Sequence, residues 1–307
     1  MQDAATQSLV IWRLMDGKPG HENQTLGLVR ALERLAAERG MDAPRCIDMP
    51  LEDFSYTLWD WLFKRFRPGF LPPRPDVIIG AGHRTHWPML CARRSFGGKT
   101  IALMSPSLPL SWFNTVVIPE HDNRSDRNVI VTRGVLNAMQ PGEKQVGKTL
   151  VLVGGEGKHF AWDDAAVYQA VAQLAQTNDE LIITDSRRTP KALRLHLQAE
   201  FATRYQPWES CPNGWLHAQL ASAETAWVTE DSVSMIYESL SAGCRVGLIA
   251  LSGGQGRLAQ GIANIEADGL VVRWSLEEGQ TLPALPARVV VLNEAGRVAK
   301  QLLEPSA

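Results

Sequence analysis

The chain has 307 residues, a formal net charge of -2, 45% hydrophobic and 21% charged residues. Domains commonly run about 100–150 residues, so this length suits two cores better than one, and the charge speaks against a general nucleic-acid binder, which is usually strongly basic. The scattered cysteines Cys46, Cys91, Cys211 and Cys244 form no C-x-x-C pair, so a reducing cytoplasmic setting without a metal site is expected.

In chain order, MQDAATQSL has neither a basic n-region nor an apolar core, so no signal peptide is expected. No apolar run reaches the roughly 18 residues that a spanning helix needs. Residues 9–14 read as a buried first strand, feeding DGKPGHENQTLG (16–27) and then a helix with Leu28, Leu32 and Leu35 on one stripe and Gly40 as its stop. A polar glycine loop between strand and helix is where open α/β sheets bind ligands. Gly17 and Gly20 let backbone approach a ligand, Lys18 stands between them, and His21 falls at the helix start; the same residues also suit a tight turn with a histidine cap.

Residues 45–50 read as a second strand. Residues 53–75 then mix aromatics with Lys64, Arg65, Arg67 and Arg74. On a helix, Leu58, Trp61, Leu62 and Arg65 recur at helical spacing, with Trp59, Phe63 and Phe66 widening the apolar sector. Such a helix either fills the domain core or meets a membrane interface or acyl-chain acceptor. Residues 76–80 read as a third strand, with Gly82, His83, Arg84 and His86 at its end. The spacing of His83 and His86 is one a metal could use, but no nearby carboxylate completes a set, so a positional role is expected. Strands at 100–104, 115–118 and 128–132 bring Glu120, His121 and Asp122 to the same rim.

Residues 133–148, with Pro141-Gly142 and little periodicity, read as a linker. The pattern then restarts with a strand at 150–153, GGEGKHF with Gly154 and Gly155, and a helix from about 162 to 176. A second first-strand glycine loop signals a second α/β domain. After a strand at 181–184, DSRRTP places Arg187 and Arg188 where they either meet a diphosphate or stay solvated, and Pro190 suits the first turn of a helix. Residues 215–223 read as a helix, SGGQGR (252–257) as another glycine-rich turn, and 293–303 as a terminal helix.

TEDSVSMIYESLSAG (229–243) lies between the apolar runs 226–228 and 246–249, so it reads as turn and helix between two strands. Asp231 or Ser232 suits the N-cap, and Gly243 the C-terminal stop. Val233, Ile236 and Leu240 share one face; Asp231, Ser234, Glu238 and Ser241 share the opposite one. A helix N-terminus attracts phosphate, and Glu238 further along can accept both hydroxyls of a ribose. The bland alternative is an ordinary α/β helix with one glutamate on its solvent face.

DGKPGHENQTLGL, IIGAGHRT, TDSRRTP and TEDSVSM, in this order, resemble the mitochondrial fission "elongated mitochondria" family and its bacterial relatives over nearly the whole chain. That family is similar in turn to the GT-B glycosyltransferases, with two Rossmann-like domains facing each other across a cleft. It is similar in particular to the transferase that adds N-acetylglucosamine to a lipid-linked peptidoglycan precursor. That enzyme's first loop ends in Gly-His, like Gly20-His21, and its second domain starts with Gly-Gly, like Gly154-Gly155. Its donor helix carries a ribose-contacting Glu five residues before a Gly, as Glu238 stands before Gly243, whereas Asp231-Ser232 replaces its Ser-Gly.

The resemblance implies an α/β, GT-B-like fold with an acceptor-side Rossmann-like domain (1–140), a nucleotide-sugar-side domain (141–290) and a terminal helix (291–307) packing back on the first. It implies an inverting, metal-independent glycosyltransferase whose donor substrate is a nucleotide-diphosphate sugar, with no permanently bound cofactor and no nucleic-acid partner. Gly154, Gly155, Arg187, Arg188, Asp231, Ser232, Ser234 and Glu238 are expected at the nucleotide sugar. Gly17, Lys18, Gly20, Gly82, His83 and Arg84 are expected in the cleft or acceptor loop. His21 is the first candidate for the base, with Glu120 or His121 in reserve. Residues 53–75 are expected to meet a lipid-linked or membrane-surface acceptor, which places a cytoplasmic protein peripherally at the inner face of the membrane. Two alternatives stand beside this reading: a nucleotide-sugar epimerase or hydrolase, and a non-catalytic nucleotide-, partner- or membrane-binding member of the family.

Overall fold

A computed structural model describes residues 8–51, 55–67, 70, 72–275 and 281–304. The expected absence of a leader falls on residues 1–7, and part of the 53–75 stretch on 53–54, 68–69 and 71, which lie outside the described residues.

The first elements are β1 (Val10–Met15), α1 (Pro19–Glu38), β2 (Arg45–Pro50), α2 (Leu58–Leu62), β3 (Val77–Ala81), α3 (His86–Phe96), β4 (Lys99–Leu103), β5 (Thr115–Pro119) and β6 (Val129–Thr132). Their strands form one parallel sheet in the order β2-β1-β3-β4-β5-β6. Pro19 opens α1, where a missing N–H costs nothing, and the chain leaves the helix through Arg39 and Gly40, whose φ of +63° suits glycine. Leu28, Leu32 and Leu35 of α1 pack on one sheet face with Ile11 and Ile79. Trp12, Ile78, Met89 and Ile118 belong to the core on the other face.

The second sheet follows with β7 (Gln145–Leu152), α4 (Asp164–Thr177), β8 (Leu181–Thr184), α5 (Lys191–Glu200), β9 (Tyr205–Gln206), α6 (Trp215–Ser222), β10 (Ala223–Thr229), α7 (Val233–Ser241), β11 (Arg245–Ile249), α8 (Gly256–Ala267) and β12 (Val271–Trp274). It too is parallel, in the order β12-β11-β10-β7-β8-β9. A last helix, α9 (Glu294–Leu303), buries Ala295, Val298 and Ala299 in the core beneath α1. Contacts thus divide the chain into Met1–Ala138 with Asn293–Ala307, and Met139–Leu292. This is the α/β, two-unit, Rossmann-like fold of the GT-B class.

In each sheet the first strand lies inside, with later strands added on both sides. The order therefore reverses between β1 and β3 and between β7 and β10. Open α/β sheets bind ligands at the carboxyl ends of strands at such reversals.

Two expectations are corrected. The helical stripe expected through Leu58, Trp61, Leu62 and Arg65 is cut short, because α2 ends at Leu62 and Lys64 adopts a left-handed φ of +53°. The turn separates the aromatics. Phe66 enters the core, its ring 5.9 Å from Trp12 and 5.5 Å from Tyr56, whereas Trp59 and Phe63 stay 66% and 59% exposed. The expected linker over 133–148 already contains strand, since β7 starts at Gln145 and pairs with Ala223 before a register shift. Val146 is exposed, and the Gly147 N–H donates to Glu224 (2.7 Å). Those residues lie beyond the covered part of the sheet, so no apolar alternation marks them.

Candidate functional site

At the β1/β3 reversal, β1 runs into Asp16, a buried carboxylate. Its Oδ1 accepts the Lys18 N–H (3.1 Å), and its Oδ2 lies 2.8 Å from His21 Nδ1. The Gly17 N–H donates to Glu22 Oε1 (3.0 Å), so the loop of Gly17, Lys18 and Gly20 is a pinned turn. Lys18 is the N-cap residue of α1, which sets His21 in the first helical turn. Gly82 follows β3 with φ +79° and ψ 158°, a conformation almost restricted to glycine. A Cβ there would stand 2.3 Å from His21 Cε1. Gly82 thus makes room for the imidazole of another loop.

His83 and Arg84 are exposed in the turn His83–Thr85. His86 is buried: its Nδ1 lies 3.4 Å from Ser107 Oγ, and its Nε2 has no hydrogen-bond partner among the described residues. Burial, with His83 and His21 nearby, pushes its pKa down to about 4. Glu120 and His121 lie in the turn Glu120–Asp122 after β5, and among the described residues no hydrogen bond or ion pair joins either to His21. Asp16 is the partner that sequence reasoning missed; a carboxylate at a strand end just before a glycine loop was its only signal.

At the β7/β10 reversal three loops close on one another. The Gly154 N–H donates to Thr229 Oγ1 (2.8 Å), and the Gly155 N–H to Asp231 Oδ2 (3.0 Å). Arg188 reaches across, with Nη2 donating to Asp231 Oδ2 (2.6 Å) and Ser232 Oγ (3.0 Å), and Nη1 to the carbonyls of Gly155 (2.9 Å) and Glu156 (3.1 Å). A Cβ on Gly154 would meet Asp231 Oδ2 at 2.2 Å, and one on Gly155 the Arg188 backbone at 2.1 Å. The glycines therefore permit close loop packing, and the Asp231 carboxylate fills a nest of donors of the kind that binds phosphate. Arg187 is exposed and makes no ion pair among the described residues.

The expected cap on α7 is corrected. Ser232 is its N-cap residue, but no side chain caps the helix, because Ser232 Oγ is engaged by Arg188 and Asp231. The bland alternative of a glutamate on the solvent face is also corrected: of the polar stripe Asp231, Ser234, Glu238 and Ser241, Ser234 is exposed, whereas Glu238 and Ser241 are buried. The chain near Leu292 meets the C-terminal end of this helix, the Leu292 N–H donating to Leu240 O and Val291 lying against Gly243. Among the described residues no cluster of His, Cys, Asp and Glu could hold a metal ion, and no helix is long and apolar enough to cross a membrane.

The chain matches the family model of mitochondrial fission ELM1 over residues 19–305. It is 25% identical over 224 residues to uncharacterized protein RP120 of Rickettsia prowazekii (strain Madrid E), covering 55% of this chain and 63% of that protein. It thus spans less than two thirds of that relative's length. Among solved structures it is similar to a proposed UDP-N-acetylglucosamine 2-epimerase from Listeria monocytogenes, with TM-score 0.51, 9% identity and 97% of each chain covered. It is also similar to the S. aureus MnaA–UDP co-structure, with TM-score 0.50, 11% identity, and 96% of this chain and 88% of that one covered. At such identities the likeness is one of fold.

Proposed function

The chain belongs to the mitochondrial fission ELM1 family, and from that premise we propose that its second unit binds a nucleotide-diphosphate sugar and that the protein transfers the sugar to an acceptor, with inversion and without a metal ion. The observation that carries this reading is the junction of Gly154, Gly155, Asp231 and Ser232 at the uncapped start of α7. The diphosphate lies at the first N–H groups of α7, where unsatisfied donors and the helix dipole favour negative charge. Arg187 supplies an exposed cation, and Glu238 receives the ribose.

Inversion requires the acceptor oxygen to attack the anomeric carbon from the face opposite the departing diphosphate, while a base takes its proton. His21 fills that role: Asp16 orients Nδ1, and Nε2 accepts the proton. Glu120 or His121 is the reserve. The leaving diphosphate is stabilised by helix N–H groups and arginine.

The exposed pair Trp59 and Phe63, stacked at 6.2 Å beside Lys64, Arg65 and Arg67, suits a lipid-linked or membrane-surface acceptor at the inner face of a membrane. This surface favours a transferase over an epimerase or hydrolase, neither of which needs an acceptor. A non-catalytic member of the family would bind nucleotide or membrane without turnover.

The test is a thermal-shift series with UDP, GDP, dTDP and their sugar conjugates, since a ligand held only by the folded state stabilises it by about 2.7 kcal/mol at a hundredfold excess over Kd. At least one diphosphate should raise the melting temperature, as UDP is held by the S. aureus neighbour. No rise with any of them at millimolar concentration would refute the reading.

A further inference from the structure

The second unit holds a cavity of ≈ 250 Å³ that none of the roles above uses. Its walls include Phe160, Glu230, Leu251, Gly254, Ala259 and Arg273. Resting on the nucleotide-sugar reading, we propose that this cavity is the subsite for the sugar ring, with Arg273 and Glu230 as its specificity-determining pair.

Glu230 directly follows β10, one residue before Asp231, and is fully buried. Its Oε2 accepts the Leu251 N–H (2.8 Å) and Arg273 Nη2 (3.1 Å), and its Oε1 accepts Arg273 Nε. Removing an ion pair from water costs several kcal/mol per ion, so such a pair is a poor way to join strand ends for stability alone. On a cavity wall it has another use. Of the five guanidinium N–H groups of Arg273, two bind Glu230, and the side chain is 43% exposed. Among the described residues, three donors and one further carboxylate lone pair therefore remain for a ligand.

Size and charge select among ligands. Pockets for drug-sized molecules run about 300–1,000 Å³, so this one suits a single ring rather than a whole nucleotide. The pair is neutral as a unit, which gives a phosphate no net attraction. Hydroxyl and acyl oxygens match the free N–H groups, a hydroxyl proton matches Glu230, and the apolar C–H face of a pyranose matches Phe160 and Leu251.

The glycine-rich turn after β11 builds the wall. The Ala161 N–H donates to Ser252 O (2.9 Å), tying the loop after β7 to the loop before α8. A Cβ on Gly254 would stand 2.7 Å from the Phe160 ring. Position supports the order of groups: if the diphosphate lies at the start of α7 and the ribose at Glu238 along it, the remaining substituent lies on the Glu230 side.

The experiment is calorimetric titration of the full chain with UDP and UDP-N-acetylglucosamine, and with GDP and GDP-mannose. Wild type is compared with Arg273→Met and with Ala259→Leu, which adds volume from a helical position without touching the ion pair. Each variant should weaken a sugar conjugate at least tenfold more than its parent diphosphate. Equal losses for both, or no loss for either, would overturn the subsite while leaving nucleotide binding intact. Wild type that binds none of the four ligands, and neither dTDP nor its sugar conjugate, would overturn the nucleotide reading and the subsite with it.

Discussion

The His21 ring occupies the space into which any side chain at Gly82 would grow, with His21 Cε1 2.3 Å from the position of a Gly82 Cβ. Gly82→Ala should therefore destabilise in two separable ways. The backbone conformation alone costs about 1–3 kcal/mol for a non-glycine residue, and displacement of the imidazole adds to it. In a His21→Ala background only the backbone part should remain, so a double-mutant cycle by urea unfolding should show coupling of about 0.5–3 kcal/mol. Strict additivity would contradict the contact.

As a base, His21 should be dispensable for donor binding and needed for turnover. His21→Ala should lower the transfer rate by roughly 10²–10⁴-fold at unchanged nucleotide affinity. Asp16→Asn should lower it through loss of the acceptor that orients Nδ1. Near-normal turnover in both variants would shift the role to Glu120 or His121.

The Asp231 carboxylate sits among donors that a diphosphate would also seek. Asp231→Asn should tighten UDP binding by roughly 1–3 kcal/mol, the scale of like-charge repulsion near a protein surface, while lowering the melting temperature as Arg188 loses its counter-ion. Calorimetry and thermal unfolding check both signs. Unchanged or weaker UDP binding would place the phosphates elsewhere.

His86 carries a pH dependence. Its pKa is lowered from 6.5 to about 4 on folding, so between these values the unfolded chain binds the extra proton. Its contribution to stability is complete above about pH 6.5 and is lost as the pH falls toward about 4, with a slope of at most about 1.4 kcal/mol per pH unit. Urea midpoints measured from pH 7 to 4 should fall less steeply in His86→Phe than in wild type. Parallel curves would exclude His86 as the source.

The aromatic and basic surface at α2 should carry the protein to anionic vesicles at low salt. Each basic residue near such a surface contributes about 1 kcal/mol, so a Lys64/Arg65/Arg67→Ser variant should lose most of the binding, as should wild type at high salt. Flotation without retention of wild type at low salt would remove the membrane-surface acceptor and leave nucleotide binding untouched.

The periodic segments and glycine loops were legible because burial imposes the apolar pattern and sharp strand-to-helix turns need glycine. Pairings between loops were not. His21 meets Gly82 only because β1 and β3 are neighbours, and no local pattern announces that adjacency. Arg188 was readable as a cation beside a phosphate site, but its folding into the Gly155 and Asp231 loops depends on three segments meeting. Glu230 passed as part of a polar turn, since its partner Arg273 stands 43 residues further on. Among the aromatics, the left-handed turn at Lys64 decides which ring is buried, and composition carries no trace of it.

Because α9 completes the core around α1, the first unit is discontinuous in sequence whereas Met139–Leu292 is continuous. A growing chain can close the second unit as soon as Leu292 is made, but the first must wait for Leu303. At synthesis rates of about 5–20 residues per second, the 165 residues from Ala138 to Leu303 take about 8–33 s. During that interval the core cluster that holds Leu32 and Leu35 lacks Ala295, Val298 and Ala299, so the nascent first unit is expected to be less protected than the second until α9 is made.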